Sequence, residues 1–354
     1  MKKICWVLLS VALLSATVVS AKYIQSQKKP VVAERPEIWR GCDEYGKALK
    51  IATFSTNPPF GWTEIQEDQS FARGFGVDLF RKIAKEKRIN VRTVGFKSDA
   101  DMRKAFESGK IDIWVGSYYD PKIRGAGHMY ITPAFIPNAI TVVFLKNKAR
   151  PIKSFEDLKD LKGAVRQDEQ FYPYIRLSIP KDLQLQEVFD SKEAFTKLIT
   201  GEVDYLLSSP YSAEAEARRF KLNRDIELIS TPLLGQELFV VYSRNSLCPQ
   251  YRKDFAEGLR EKRQDLNALK RSLIGFIDTW GQRFRDEPSL IDQLKAEGTL
   301  PKDFVLDTSV KKSDDVAQQP SASAATSDAV TQDASADKPD DPEQRSETTS
   351  DQKE

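Results

Sequence analysis

An α/β fold with largely parallel sheets is predicted for residues 43–308 by three observations. Short apolar or β-branched runs alternate with amphipathic segments along this stretch. A helix–glycine–strand pattern occurs twice in outline. The stretch is also long enough to build two modest cores.

The elements follow in order. Leu49–Phe54 reads as a short apolar strand. Over Val77–Lys87, Val77, Phe80 and Ala84 form one stripe with Leu79 and Ile83 beside it, the periodicity of an amphipathic helix. Asn90–Val94 reads as strand, Asp99–Glu107 as helix and Ile111–Val115 as strand. Ala139–Leu145 is a β-branched apolar run. Phe155–Leu161, Ala164–Val165, Glu193–Ile199, Val203–Leu207 and Leu238–Tyr242 continue the alternation, and a predominantly helical region covers 251–297.

The repeated pattern runs from Ala105 through Gly109-Lys110-Ile111-Asp112 to Gly116-Ser117-Tyr118. It recurs from Lys197 through Gly201-Glu202-Val203-Asp204 to Ser208-Ser209-Pro210. Each copy is a helix end, a glycine, a charge, a β-branched residue, Asp, an apolar strand and a small polar cluster. The glycine suits the positive φ of a helix C-cap. Helix–glycine–strand joints are common, yet two copies fit two similar lobes better than one sheet. Ligands of open α/β sheets sit outside the carboxyl ends of the strands. Ser117, Tyr118 and Tyr119 of one lobe are therefore expected opposite Ser208 and Ser209 of the other.

The ends of the chain define where it works. Lys2 and Lys3, an apolar run from Ile4 to Val19 and the small-x-small ending Val19-Ser20-Ala21 make residues 1–21 a secretory signal peptide. Ser10, Ser15 and Thr17 interrupt the run, which argues for cleavage after Ala21 over an uncleaved anchor. Cys5 precedes the apolar run and is not placed to carry a lipid. The expected location is the periplasm, soluble after cleavage. Loss of Cys5 leaves Cys42 and Cys248, either bonded in an oxidising compartment or two unpaired thiols. Residues 22–42 form an N-terminal extension. Residues 309–354 hold eleven acidic and five basic residues and no aromatic one, so a disordered acidic tail is expected. The chain carries +2 overall, and the mild positive excess of its body is spread along it rather than gathered into a nucleic-acid footprint.

Catalytic chemistry is sparse. His128 is the only histidine, and its neighbours Gly125, Gly127 and Met129 suggest a surface turn. No Cys/His metal spacing, P-loop or dinucleotide fingerprint occurs; Gly74-Phe75-Gly76 lacks the third glycine. Asp168-Glu169 is the remaining carboxylate pair, and adjacent acids usually mark a solvated helix start. No cofactor and no metal are expected.

Three stretches resemble the bacterial extracellular solute-binding proteins, family 3, which include periplasmic polar amino-acid receptors. The first is Asn57-Pro58-Pro59-Phe60 with Gly74-Phe75-Gly76-Val77-Asp78-Leu79. The second runs from Gly109-Lys110-Ile111-Asp112 through Asp120-Pro121-Lys122-Ile123-Arg124 to Tyr130-Ile131-Thr132-Pro133-Ala134-Phe135. The third is Phe155-Glu156-Asp157-Leu158 to Gly163-Ala164-Val165. The likeness covers about residues 47–270, with one apparent extra residue before Arg124.

The resemblance implies two α/β lobes of the type II periplasmic-binding-protein kind, joined by two crossing strands, with ligand held in the cleft. Lobe 1 would be 43–143 plus 243–308, and lobe 2 would be 144–242. Arg124 matches the arginine that grips a ligand carboxylate, a task its planar fork suits. Ser117 matches a cleft hydroxyl, and Phe60, Trp62, Tyr118 and Tyr119 are candidate aromatic walls. Departures accompany these matches. Gly76 replaces the signature acid, and Asn57 falls where an aromatic is common. Ser209 stands in place of the Asp that takes an ammonium, and Asp168, Glu169 and Gln170 replace a small-residue turn.

The expected role is therefore that of a monomeric receptor for a small polar ligand, amino-acid-like or otherwise carboxylate-bearing. Its partners are that ligand and the membrane permease of an ABC importer, with no nucleic acid. A sensory or interaction protein on the same fold is the alternative. An enzyme, such as a dehydratase using Glu169 as its acid, is disfavoured by the missing general bases. Intact-mass measurement of the exported protein is expected to place the first residue at Lys22 without lipid; the mass of the full chain would refute cleavage.

Overall fold

In the computed structural model, which describes residues 40–42, 46–167 and 177–307, the apolar runs become strands of two five-stranded sheets. The chain begins with β1 (Leu49–Thr53) and a small antiparallel sheet of β2 (Thr56–Asn57), β3 (Gly61–Gln66) and β4 (Gln69–Arg73). Then come α1 (Phe75–Glu86), β5 (Val91–Thr93), α2 (Asp99–Glu107), β6 (Ile113–Ser117), α3 (Pro121–Gly125) and β7 (Met129–Pro137). The second lobe holds β8 (Thr141–Leu145), β9 (Lys162–Arg166), β10 (Gln184–Val188), α4 (Ser191–Thr200), β11 (Tyr205–Ser208), α5 (Pro210–Arg219) and β12 (Ile226–Leu228). The chain returns through β13 (Glu237–Tyr242) to α6 (Arg252–Arg263), α7 (Leu266–Gln282) and α8 (Leu290–Ala296).

The strand orders are β5-β1-β6-β13-β7 and β10-β9-β11-β8-β12. β1 pairs in parallel with β5 and β6, and β9 with β10 and β11. Antiparallel strands complete each sheet, because β8, β12, β13 and β7 belong to segments that enter or leave a lobe.

The repeated motif has the same conformation in both lobes. Gly109 after α2 and Gly201 at the end of α4 have φ of 73° and 77°, which a side chain would strain. The aspartates that follow make matching bonds. Asp112 Oδ2 accepts from Lys50 N at 2.8 Å, and Asp204 Oδ2 accepts from Lys162 N at 2.9 Å. Each carboxylate thereby grips the first turn of backbone in the adjacent parallel strand and pins its register.

Lobe 1 packs around Ile51, Phe80, Ile83, Val115, Phe135 and Phe255. Lobe 2 has a core on each side of its sheet, one around Phe195, Leu198 and Leu206 and the other around Phe144, Val165 and Tyr205. α1 buries Val77, Phe80 and Ala84 together with Leu79 and Ile83, the stripe and its neighbours expected from the sequence.

Several elements differ from expectation. Residues 141–143, assigned to lobe 1, lie in the second sheet, and 237–242, assigned to lobe 2, lie in the first. The crossing segments are hydrogen-bonded to each other, with Asn138 N donating to Gln236 O and Ile140 N to Leu234 O. α8 belongs with lobe 2: Leu290, Leu294 and Leu300 join the Phe195 core, and Leu290 N bonds to Phe220 O. Phe155–Leu158 forms only a short 3-10 turn. The hairpin β3–β4 carries too few apolar residues for its alternation to show, yet it directly precedes Gly74-Phe75-Gly76. At Gly74 a Cβ would stand 2.6 Å from Gly61 Cα, so only glycine permits that approach.

His128 is a further correction, since it is buried rather than in a surface turn. Its ring lies 4.7 Å from Phe106, its Nδ1 accepts from Arg244 N, and burial lowers its pKa. A core histidine held neutral in this way supports packing.

Cys42 and Cys248 form a disulfide across 206 residues of sequence. Beside it, Tyr251 donates to Gly41 O at 2.7 Å and Arg40 pairs with Asp254. Ellman titration of denatured, unreduced mature protein is expected to find no free thiol. Reduction is expected to lower unfolding stability by about 2–4 kcal/mol, the usual range for a long closed loop. Two titratable thiols would contradict this.

Candidate functional site

The carboxyl end of β6 opens onto the two crossing segments. Ser117, at its last position, is buried and donates to Tyr118 O at 2.8 Å. The Tyr118 hydroxyl accepts from Asn138 Nδ2 at 2.5 Å, and its ring packs against the core of lobe 1 and against the Phe144–Tyr205 core of lobe 2. Tyr118 is therefore the point where the two lobes meet at the crossing. Tyr119 is 44 % exposed and forms a three-ring group with Tyr130 at 5.1 Å and Phe239 at 6.5 Å. Tyr130 accepts from Asp120 N and donates to Tyr118 O, and burial raises the pKa of its hydroxyl.

α3 starts here because Asp120 caps it, accepting from Lys122 N at 2.8 Å, with Pro121 at the first position. Two consecutive residues of this helix then have side chains of opposite character. Ile123 packs on the Phe54–Trp114 cluster, whereas Arg124 is exposed and makes no ion pair or side-chain hydrogen bond among the described residues. A second guanidinium, Arg103 of α2, lies 4.8 Å from the Trp114 ring, and desolvation lowers its pKa.

The other sequence candidates fall in different surroundings. Asn57 is half-buried in β2. Phe60 and Trp62 are buried and take part in packing between lobes rather than lining an open wall. Phe60 meets Tyr211 of α5 edge-on at 6.0 Å, and Trp62 lies 5.3 Å from Trp280. Ser209 is buried and caps α5, its Oγ accepting from Ser212 N at 3.2 Å. Asp168, Glu169 and Gln170 lie outside the described residues.

Lobe 2 contains a polar cluster that the sequence reading missed. Arg166, the last residue of β9, donates from Nη1 to Ser191 Oγ at 2.6 Å. Glu216 is 2 % exposed and pairs with Arg219 at 3.3 Å, while its Oε1 has no hydrogen-bond partner among the described residues. Burial raises the Glu216 pKa, against the opposing pull of Arg166 and Arg219. Arg166, Ser191 and Glu216, together with Ser208 and Ser212, line a cavity of about 20 Å³, enough for one water molecule. The signal available was a mismatch: a glutamate on the face of a helix that otherwise buries Ala213, Ala217 and Phe220.

The sequence profile of the bacterial extracellular solute-binding proteins, family 3, matches residues 49–302. The chain belongs to this family. Solved structures place it among type II periplasmic-binding-protein folds. The GluR0 ligand-binding core in complex with L-glutamate superposes with a TM-score of 0.50 at 20 % identity, covering 66 % of this chain and 97 % of that one. The amino-acid ABC transporter substrate-binding protein AbpA of Streptococcus pneumoniae, bound to L-arginine, gives 0.51 at 14 % identity, with 69 % and 98 % covered. An ancestral cationic amino acid solute-binding protein gives 0.50 at 20 % identity, with 67 % and 96 % covered. A search of curated protein sequences gives no match. Among the described residues of this family member, no helix is long and apolar enough to cross a membrane.

Because Ser209 caps α5, Ser209→Ala is expected to lower unfolding stability by about 1 kcal/mol in denaturant titration. An unchanged midpoint would show that the cap is dispensable.

Proposed function

We propose that this family member is a periplasmic receptor, exported by cleavage after Ala21, that holds a small polar ligand bearing a carboxylate between its lobes. It would deliver that ligand to the permease of an ABC importer. The observation that carries the reading is Arg124. It stands exposed, without a protein counter-charge among the described residues, in the short helix α3 that follows the carboxyl end of β6. A carboxylate entering a closing cleft loses hydration, and a bidentate guanidinium replaces it. The neighbouring ring group of Tyr119, Tyr130 and Phe239 supplies apolar surface for the rest of a ligand. The L-glutamate and L-arginine bound by the two structural neighbours both carry a carboxylate, in keeping with this chemistry.

A bound ligand would add to the stability of the closed arrangement, since only that arrangement lets it touch both lobes. Ser209 is occupied as a helix cap and does not stand in for an ammonium-binding carboxylate. Recognition of the ligand's other end therefore rests on a different group, and an α-amino-acid pocket of the usual kind is not required. A second reading, a sensory or interaction protein without transport, is favoured by the extra connection that α7 and α8 make between the lobes.

Mass spectrometry of small molecules released from the purified periplasmic protein identifies the ligand, and calorimetric titration then tests Arg124. Arg124→Ala is expected to weaken binding by roughly a hundredfold or more while leaving the ligand-free melting temperature unchanged. Arg124→Lys is expected to recover only part of the loss. Equal affinities in wild type and Arg124→Ala would overturn the carboxylate reading. Unchanged uptake of the identified ligand in a deletion strain would favour the sensory reading.

A further inference from the structure

α7 is a single helix whose two halves serve different lobes. Leu269 and Leu273 lie in the core of lobe 1, and Ile277 and Trp280 form a separate cluster with Trp62 of β3 and Ala215 of α5. Trp62 comes from lobe 1 and Ala215 from lobe 2, so this apolar cluster is shared across the cleft. Phe60 of lobe 1, wholly buried, meets the Tyr211 ring of lobe 2 at its edge. Polar contacts surround the cluster. Arg218 of α5 bridges Glu214 and Asp278 of α7. Arg283 pairs with Glu64 at 3.4 Å and lies over the Trp62 and Trp280 rings. Beyond α7 the chain is anchored on lobe 2, where Lys221 Nζ donates to Arg285 O at 2.9 Å and α8 enters the core.

We propose that this cluster is a latch that keeps the lobes together in the absence of ligand, so that the closed arrangement is the resting state. The physical ground is the surface that opening would uncover. Separating the lobes withdraws Tyr211 from Phe60 and exposes the Trp62–Trp280 pair, none of which regains a favourable partner in water. α7 is one continuous helix without proline from Leu266 to Gln282, so opening must either withdraw its second half from Ala215 or bend it at Gly275, between Leu273 and Ile277. Uncovering one large aromatic side chain shifts a two-state equilibrium by about ten- to a hundredfold, and several are involved here. A ligand then enters only through the minor open population, so its rate of entry, rather than its affinity for the closed arrangement, is reduced by that fraction. The inference does not depend on ligand identity, and its test uses none.

Spin labels at exposed Lys104 of lobe 1 and Lys181 of lobe 2, introduced as Lys104→Cys and Lys181→Cys, report the distance between lobes. The mature protein is unfolded and refolded with its disulfide intact to strip any bound molecule, and distances are read by double electron–electron resonance. The expected result is one narrow distance distribution in the wild-type background. Tyr211→Ala is expected to add a longer distance and to lower the closed-to-open ratio at least tenfold. A ligand-stripped wild type dominated by the longer distance would overturn the latch, as would an unchanged distribution in a folded Tyr211→Ala. Should Tyr211→Ala fail to fold, Asp278→Asn removes the ion pair to Arg218 from a partly exposed position. It is expected to broaden the distribution in the same direction, and no broadening would overturn the proposal.

Discussion

The joint of helix, positive-φ glycine and aspartate is the constraint on which both lobes depend. Parallel strands have no tight turn to set their register, since each is reached through a long crossover. Here the register is set at the start of the central strand instead. Gly109 and Gly201 turn the chain out of α2 and α4, and Asp112 and Asp204 then bond to the backbone of β1 and β9. A one-residue slip would move every side chain of β6 or β11, all of them buried, to the opposite face of its sheet. It would also move Ser117 or Ser208 away from the strand end.

The candidate site follows from that alignment. With the register fixed, the carboxyl ends of β6 and β11 face the crossing segments, and Tyr118 touches the cores of both lobes while bonding to Asn138. Polar groups at these ends have two kinds of work. Asp120 and Ser209 satisfy the first N–H groups of α3 and α5, which are otherwise unpaired. Arg124 has no such structural partner among the described residues. The contrast between a committed and an uncommitted polar side chain at one strand edge separates scaffold from candidate ligand contact.

Family membership gives the two-lobed scaffold its meaning as a solute-binding protein, and the contacts along α7 modify how such a scaffold moves. A hinge made only of two crossing strands leaves the lobes joined at one edge. Packing Ile277 and Trp280 of α7, a helix shared by both lobes, against Trp62 of β3 is proposed to stabilise one relative position. Under the proposed latch, aromatic packing and ligand contacts favour the same closed arrangement, and the packing must be broken before a ligand can enter.

Local pattern was enough for much of this protein. The stripe of α1, the strands β1, β6 and β11, and the repeated glycine–aspartate joint are visible in the sequence, because each depends on periodicity or on a backbone conformation that few residues tolerate. Arg124 entered as a candidate through the family resemblance of the stretch from Asp120 to Arg124, and the structure adds that its side chain is exposed. Tertiary structure alone decided the rest. β3 and β4 carry too few apolar residues to show alternation, and Trp62 of β3 is buried by packing on the remote Trp280. The place of α8 in lobe 2 depends on Leu290 and Leu294 finding the Phe195 core, a choice no local pattern encodes. The burial of His128, Arg166 and Glu216 likewise depends on what packs around them. Sequence reveals a residue's chemistry and its neighbours along the chain, while the desolvation that makes a charge structural or leaves it available is set by contacts distant in sequence.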